Sequence, residues 1–147
     1  MQLVICQMEE DDLEQVIHIE KESFRCPWSL SSFQSEMRVN KYSYYIVAKK
    51  KADNLVVGYT GTWILFEEAH ITTLAVHPDF RQKGIAALLL EHLLSKFRNA
   101  GVTYIFLEVR SSNYSAQKLY EKYSFAIAGK RKRYYDDEDA IIMVKHF

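Results

Sequence analysis

The segment from Thr72 to Leu90, T-T-L-A-V-H-P-D-F-R-Q-K-G-I-A-A-L-L-L, most narrows what this chain can fold into. A β-branched and apolar run ends at Ala75-Val76 and is stopped by His77-Pro78-Asp79. A polar loop containing Gly84 then leads directly into a long stretch with helical periodicity. The first turn of a helix has four backbone N–H groups without intrahelical partners, and the macrodipole adds about half a positive charge there. An anionic diphosphate fits that end. Gly84 lets a ligand approach the backbone with no Cβ in the way. Ala86 is nearly as small, and Arg81 and Lys83 can add charge-assisted contacts. The loop matches neither G-x-x-x-x-G-K-[ST] nor G-x-G-x-x-G. By spacing alone, a plain connecting turn with a solvated basic pair explains it at least as well.

The chain has 147 residues, 48% of them hydrophobic, which suits one domain with a real core. Lys plus Arg number 19 and Asp plus Glu 19, so net charge gives no general pull toward nucleic acid or a membrane surface. Cys6 and Cys26 are too few for a disulfide framework, and no Cys/His cluster has zinc-ligand spacing; reduced thiols and no metal are expected. No basic-then-apolar leader opens the chain. The most apolar run, Ile85 to Leu94, is too short to span a bilayer and carries Glu91 and His92. The expectation is a soluble cytoplasmic protein with no direct nucleic-acid or membrane partner, its oligomeric state left open.

Periodicity predicts a first strand over Gln2–Gln7 and a helix from about Asp11 to Phe24, with Glu20 as a flaw in its apolar stripe. Pro27 ends that helix, and Ser29 can cap a short second one carrying Leu30, Phe33 and Met37. Strands follow at Tyr44–Ala48, Leu55–Phe66 and Ala69–Val76. A buried helix is predicted over Ile85–Phe97, with apolar positions at 85, 88, 89, 93 and 97 and His92 on the same stripe. Gly101 sits where a left-handed C-cap is wanted. Thr103–Val109 reads as a strand, Asn113 as the cap of a helix to about Tyr123, and Phe125–Tyr134 with Ala140–His146 as a closing hairpin. The order β-α-α-β-β-β-α-β-α-β-β describes one α/β domain over residues 1–147: a mixed sheet of about seven strands flanked by about four helices.

R-Q-K-G-I-A at Arg81 to Ala86 resembles the R/Q-x-x-G-x-G/A signature of the GNAT acetyltransferases, which grips the pyrophosphate of coenzyme A. P-W-S at Pro27, E-A-H-I-T-T-L-A-V at Glu68, L-E-V-R-S-S-N at Leu107, A-x-x-L-Y-E at Ala116 and Y-Y-D-x-x-D-A at Tyr134 extend the likeness over nearly the whole chain. Together they resemble the RimI-type N-terminal alanine acetyltransferases, which modify a ribosomal protein. Two positions depart from the pattern. Ala86 stands for the final glycine of the loop, a permitted variant. Ser124 stands where a glycine usually precedes the phenylalanine, so local strain is expected there.

The resemblance implies a GNAT fold and acetyl-CoA as co-substrate, without a metal. The backbone of Leu74, Ala75 and Val76 would pair with the pantetheine amides. Arg81, Gln82, Lys83, Gly84, Ile85, Ala86 and Ala87 would hold the diphosphate, and Asn113, also a natural N-cap, would touch the cofactor. It implies Glu108 as general base and Tyr120 as the acid toward the departing sulfur. Trp28, Tyr134 and Tyr135 would flank the entry of a protein N-terminus. Read without it, Glu108 is as easily a structural partner of Arg110 on the same strand face, Tyr120 a core tyrosine, and Trp28, Tyr134 and Tyr135 a core Trp and edge-strand tyrosines.

The chemistry suits an α-amine. Its reference pKa is about 7.7–8 against about 10.4 for lysine, so roughly one α-amine in ten is neutral at pH 7 and fewer than about one lysine in a thousand. A mid-strand glutamate flanked by apolar residues is partly desolvated and therefore a better proton acceptor. His70 and His77 read as structural, because no carboxylate partner is evident for either near it in sequence. Cys6 and Cys26 lie far in sequence from the cofactor segments, so direct attack in a ternary complex is expected. The acidic run Asp136–Asp139 either neutralises the neighbouring Lys130–Arg133 or attracts a basic peptide. Other acceptors, a lysine or a small-molecule amine, and a non-catalytic acyl-CoA-binding module are the alternatives.

Overall fold

Alternation along the central strands divides the apolar side chains between two cores. In the computed structural model, which describes all 147 residues, the elements are β1 (Leu3–Gln7), α1 (Leu13–Ser23), α2 (Leu30–Arg38), β2 (Ser43–Lys50), β3 (Val56–Leu65), β4 (Glu68–Val76), α3 (Ile85–Asn99), β5 (Tyr104–Arg110), α4 (Tyr114–Lys122), β6 (Ala126–Arg131) and β7 (Ala140–His146). One seven-stranded sheet runs in the order β1-β2-β3-β4-β5-β7-β6, antiparallel except where β4 meets β5. Tyr45, Val47, Tyr59 and Ala75 point toward α1 and α2 and pack on Leu13, Val16, Ile19 and Phe33. Ile46, Ala48, Val57, Ile105 and Leu107 point the other way, toward α3, and Tyr120 of α4 joins that core. This is the predicted order and the predicted fold class.

The caps explain the boundaries. Ser29 Oγ accepts from Ser32 N–H at 3.2 Å and starts α2, and Asn113 Oδ1 accepts from Ala116 N–H at 3.1 Å and starts α4. Gly101 adopts φ +81° after α3, as expected of a left-handed cap. Ser124 holds the same conformation after α4, φ +71°, without a glycine's freedom, so the expected strain is present.

Three expectations change. The buried stripe of α3 is Ile85, Leu89, Leu90, Leu93, Leu94 and Phe97; Leu88 and His92 are exposed. The helix turns these two outward because Leu90 and Leu94 complete a wider apolar face over the sheet. Glu20 is no flaw in α1: it is buried and accepts hydrogen bonds from Tyr59 Oη and from Trp28 N–H, the latter at 2.9 Å. The last hairpin is shorter than predicted. β6 ends at Arg131, so Tyr134 and Tyr135 belong to a loop and not to an edge strand.

Candidate active site

β4 and β5 run side by side only from Glu68↔Tyr104 to Ile71↔Leu107. Beyond that they part. β4 stays paired with β3 as far as Val76↔Gly58, but Thr72 is an extra residue against that strand: Gly61 faces Thr73 and Thr62 faces Ile71. Such a bulge bends its strand and adds twist. Thr72 Oγ1 bonds Gly61 O at 2.9 Å and holds the bulge. Gly61 is required beside it, because a Cβ there would collide with the ring of Tyr45. From Thr72 to Val76, β4 therefore has a strand neighbour on one side only, and a cleft of about 470 Å³ opens through the gap.

Glu108, Leu74, Asn113, Tyr120, Trp28, Tyr134 and Tyr135 all line this cleft. Alternation along β5 puts Leu107 and Val109 in the core with Tyr120, so Glu108 enters the gap from the opposite face. The Glu108 side chain is 8% exposed. It does not bond Arg110, the alternative raised by their shared face. Its Oε2 lies 2.6 Å from His70 Nε2, and its Oε1 lies 3.9 Å from Arg131. His70 thus has a carboxylate partner after all, 38 residues away and reached only because β4 lies beside β5. Burial, with Tyr135 adding to it, holds the Tyr120 phenol well above its ordinary value, so it keeps its proton and is able to donate a hydrogen bond at neutral pH.

The remaining walls come from side-chain clamps. Arg110 donates to Asp137 Oδ1 at 2.8 Å and to Glu138 Oε1 at 3.1 Å, and its guanidinium lies 4.4 Å over the Tyr135 ring. Asp137 also pairs with Arg25 of the α1–α2 loop. The Glu138 carboxylate accepts from Ser112 N–H at 3.1 Å, and Asp139 pairs with Lys130. Three of the four acids of Asp136–Asp139 are therefore engaged by the protein's own cations, and those at 137 and 138 by Arg110, not by the adjacent basic run. Burial pushes the Tyr135 phenol up to about 12, with help from Tyr134 and Glu108. Trp28 is held by its backbone bond to Glu20 and packs edge-on against Phe33 at 5.3 Å.

The loop Arg81–Ala87 is not part of this cavity but continues from the free end of β4. Gln82 (φ +62°) and Gly84 (φ +82°) are both left-handed, and the first α3 bond is Leu88 N–H to Gly84 O at 3.0 Å. The N–H groups of Ile85, Ala86 and Ala87 thus have no intrahelical partner. Apart from its immediate chain neighbours, nothing crowds the place where a Cβ on Gly84 would stand. An anionic group fits this end. Arg81 is exposed but tethered: Nε donates to Val76 O at 3.0 Å and Nη2 to Ser23 Oγ at 3.1 Å, tying the loop to β4 and α1.

Sequence reasoning missed His70, Glu20, Glu36, Trp63 and Cys26 as cleft residues. The one available signal was Glu20, an acid on an apolar helix face. Cys26 shows that distance in sequence was a poor guide, since it is exposed in the cleft wall. No three His, Cys, Asp or Glu side chains gather as metal ligands would, and no helix is long and apolar enough to cross a membrane.

This strand-splayed α/β architecture is that of an acyl-group transferase, and residues 13–125 match the acetyltransferase (GNAT) family. The chain belongs to that family. A Bacillus subtilis relative is 38% identical over 135 residues, 90% of this chain and 88% of the relative. The [ribosomal protein bS18]-alanine N-acetyltransferase of Salmonella typhimurium is 37% identical over 136 residues, covering 90% of this chain and 89% of that protein. The crystal structure of the ribosomal-protein-S18-alanine N-acetyltransferase from Escherichia coli superposes with a TM-score of 0.89 at 33% identity, over 99% of this chain and 94% of that one.

Proposed function

We propose that this chain transfers the acetyl group of acetyl-CoA to the N-terminal α-amine of a protein, the acceptor being the N-terminal alanine of ribosomal protein bS18, by direct attack in a ternary complex. One observation carries the reading: β4 and β5 part at Thr72, and Glu108 and Tyr120 reach the gap from opposite faces. The names and identities of the relatives support the acceptor. A cytoplasmic location fits a ribosomal acceptor. Residues 1–147 act as one domain, since a single sheet runs from Leu3 to His146.

In this reading the unpaired edge of β4 at Leu74, Ala75 and Val76 offers backbone groups to the pantetheine amides, as a missing strand would. The segment from Arg81 through Gln82, Lys83, Gly84, Ile85 and Ala86 to Ala87 takes the diphosphate on the α3 N-terminus. Asn113, which lines the cleft, touches the cofactor in the same reading. The neutral amine attacks the thioester carbon. As the C–N bond forms, the nitrogen gives a proton to the Glu108 carboxylate, directly or through one water. The C–S bond then breaks, and Tyr120 donates a hydrogen bond to the departing sulfur. A thiol has a reference pKa of about 8.5, below that of a phenol near 10, so a hydrogen bond suffices without full transfer. Trp28, Tyr134 and Tyr135 flank the first residues of the acceptor.

An array of peptides differing in the first residue, each also made with a blocked N-terminus, tests the acceptor by mass spectrometry with acetyl-CoA. Acetylation of free alanine termini, absent from the blocked set, is expected. Acetylation that survives blocking means a lysine acceptor and ends the reading. Cys26→Ala keeps most of the rate; near-total loss would replace direct attack by an acyl-enzyme.

A further inference from the structure

The Glu108 carboxylate has a built partner that the scheme above leaves idle. His70 on β4 pairs in parallel register with Phe106 on β5, two residues before Glu108 and on the same sheet face. The imidazole lies flat on the Phe106 ring, centroids 4.3 Å apart and planes 6° apart, and Trp63 meets it edge-on at 5.1 Å. The ring is thus fixed on two sides. Its Nε2 is 2.6 Å from Glu108 Oε2, and the two side chains are 13% and 8% exposed. An ionised carboxylate only accepts, so Nε2 carries the proton. Nδ1 is buried without a partner.

Resting on Glu108 as the base, we propose that His70 is a positioning residue for acetyl transfer: its Nε2–H holds Glu108 Oε2 so that Oε1 is the oxygen presented to the acceptor amine. The terminal torsion of a glutamate is broad and roughly two-fold. A base with both oxygens free samples orientations that cannot take the proton, and fixing one oxygen removes that loss before the amine arrives. Few other charged groups contend for Glu108. Arg131 of β6 approaches Oε1 at 3.9 Å, Arg110 is turned to Asp137 and Glu138, and Tyr134 and Tyr135 face Glu108 from their loop. Glu20 and Glu36 line the same cleft from α1 and α2.

The test compares His70→Phe, which keeps the stacked ring and removes the donor, with His70→Gln, whose amide nitrogen stands near the place of Nε2. Steady-state rates are measured with an alanine-terminated peptide and acetyl-CoA. His70→Phe lowers kcat about tenfold, the size of one charge-assisted hydrogen bond, and leaves KM for acetyl-CoA unchanged. The acid limb of its kcat/KM profile moves to higher pH, because a donor that favours the carboxylate has gone. His70→Gln restores most of the rate, and His70→Phe adds no further loss to Glu108→Gln. A Phe variant with unaltered kcat and acid limb, or a Gln variant as slow as Phe, overturns the role of His70. A Glu108→Gln enzyme at full rate overturns the base itself, a result distinct from either.

Discussion

The loop that continues from the free end of β4 and the mouth of the cleft are made in different ways. The end around Arg81–Ala87 is backbone: a free strand edge, two left-handed residues and the open first turn of α3, all within sixteen consecutive positions from Thr72 to Ala87. The end around Trp28, Tyr134 and Tyr135 is side chain. It is assembled from α1, the α1–α2 loop, β5 and the 132–139 loop by Glu20 under Trp28 and by Asp137 between Arg25 and Arg110. A backbone site tolerates change in its apolar side chains but not in its φ angles. A clamped site tolerates backbone variety but loses its shape when one charge goes. In the proposed reading, the first arrangement takes a cofactor that never varies and the second an acceptor that has to be chosen.

Substitutions at each end can break or sharpen that contrast. Gly84→Val should have the larger effect. A β-branched residue at φ +82° costs on the order of 1–3 kcal/mol of strain, and its side chain stands in the open space before α3. KM for acetyl-CoA is expected to rise about tenfold or more at that cost, with the peptide KM unchanged; equal rises in both would show that the two ends are not separable.

Asp137→Ala comes next. Removing the bridge between Arg25 and Arg110 should raise the peptide KM several-fold, about the effect of one partly exposed ion pair, and leave acetyl-CoA untouched. The pH sign follows from the Arg110 guanidinium, which holds the Asp137 carboxyl below the usual carboxylate range. Its contribution is complete above the unfolded value of about 3.9 and is lost as pH falls through the lower folded one. Between pH 5 and 8 the wild-type peptide KM should therefore show no pH dependence from this bridge. It should rise with added salt, which screens exposed pairs.

Ser124→Gly is the mildest. It relieves the φ +71° strain at the end of the helix that carries Tyr120 and should add about 0.5–1 kcal/mol of stability, read as a higher Tm with kcat unchanged. A fall in kcat would show that the strain helps to place Tyr120.

Legibility followed the same division. The backbone end could be read because its signals are local: Gly84, Ala86, the Pro78 stop and the periodicity from Ile85 sit side by side. Tyr120 and Asn113 were legible only through motif resemblance, since alone they pass for a core tyrosine and a helix cap. His70 was misjudged because its partner Glu108 is a neighbour across two parallel strands and not along the chain. The strand predicted to run on to Tyr134 is too long because β-branched and aromatic propensity says nothing of where a ladder ends; the ladder stops at Arg131, and the acidic loop folds back on Arg110. The α3 stripe was rotated because leucines fill five positions of that helix, and only the sheet beneath decides which of them are covered.

By itself the sequence determined the order of elements, the caps at Ser29, Asn113 and Gly101, and the loop–helix junction at Gly84, because each depends on residues within a few positions of one another. Only the tertiary structure decided that β4 leaves β5 at Thr72, that His70 meets Glu108, and that Asp137 bridges Arg25 and Arg110. Those contacts join residues tens of positions apart, and strand pairing and side-chain reach, not local preference, bring them together.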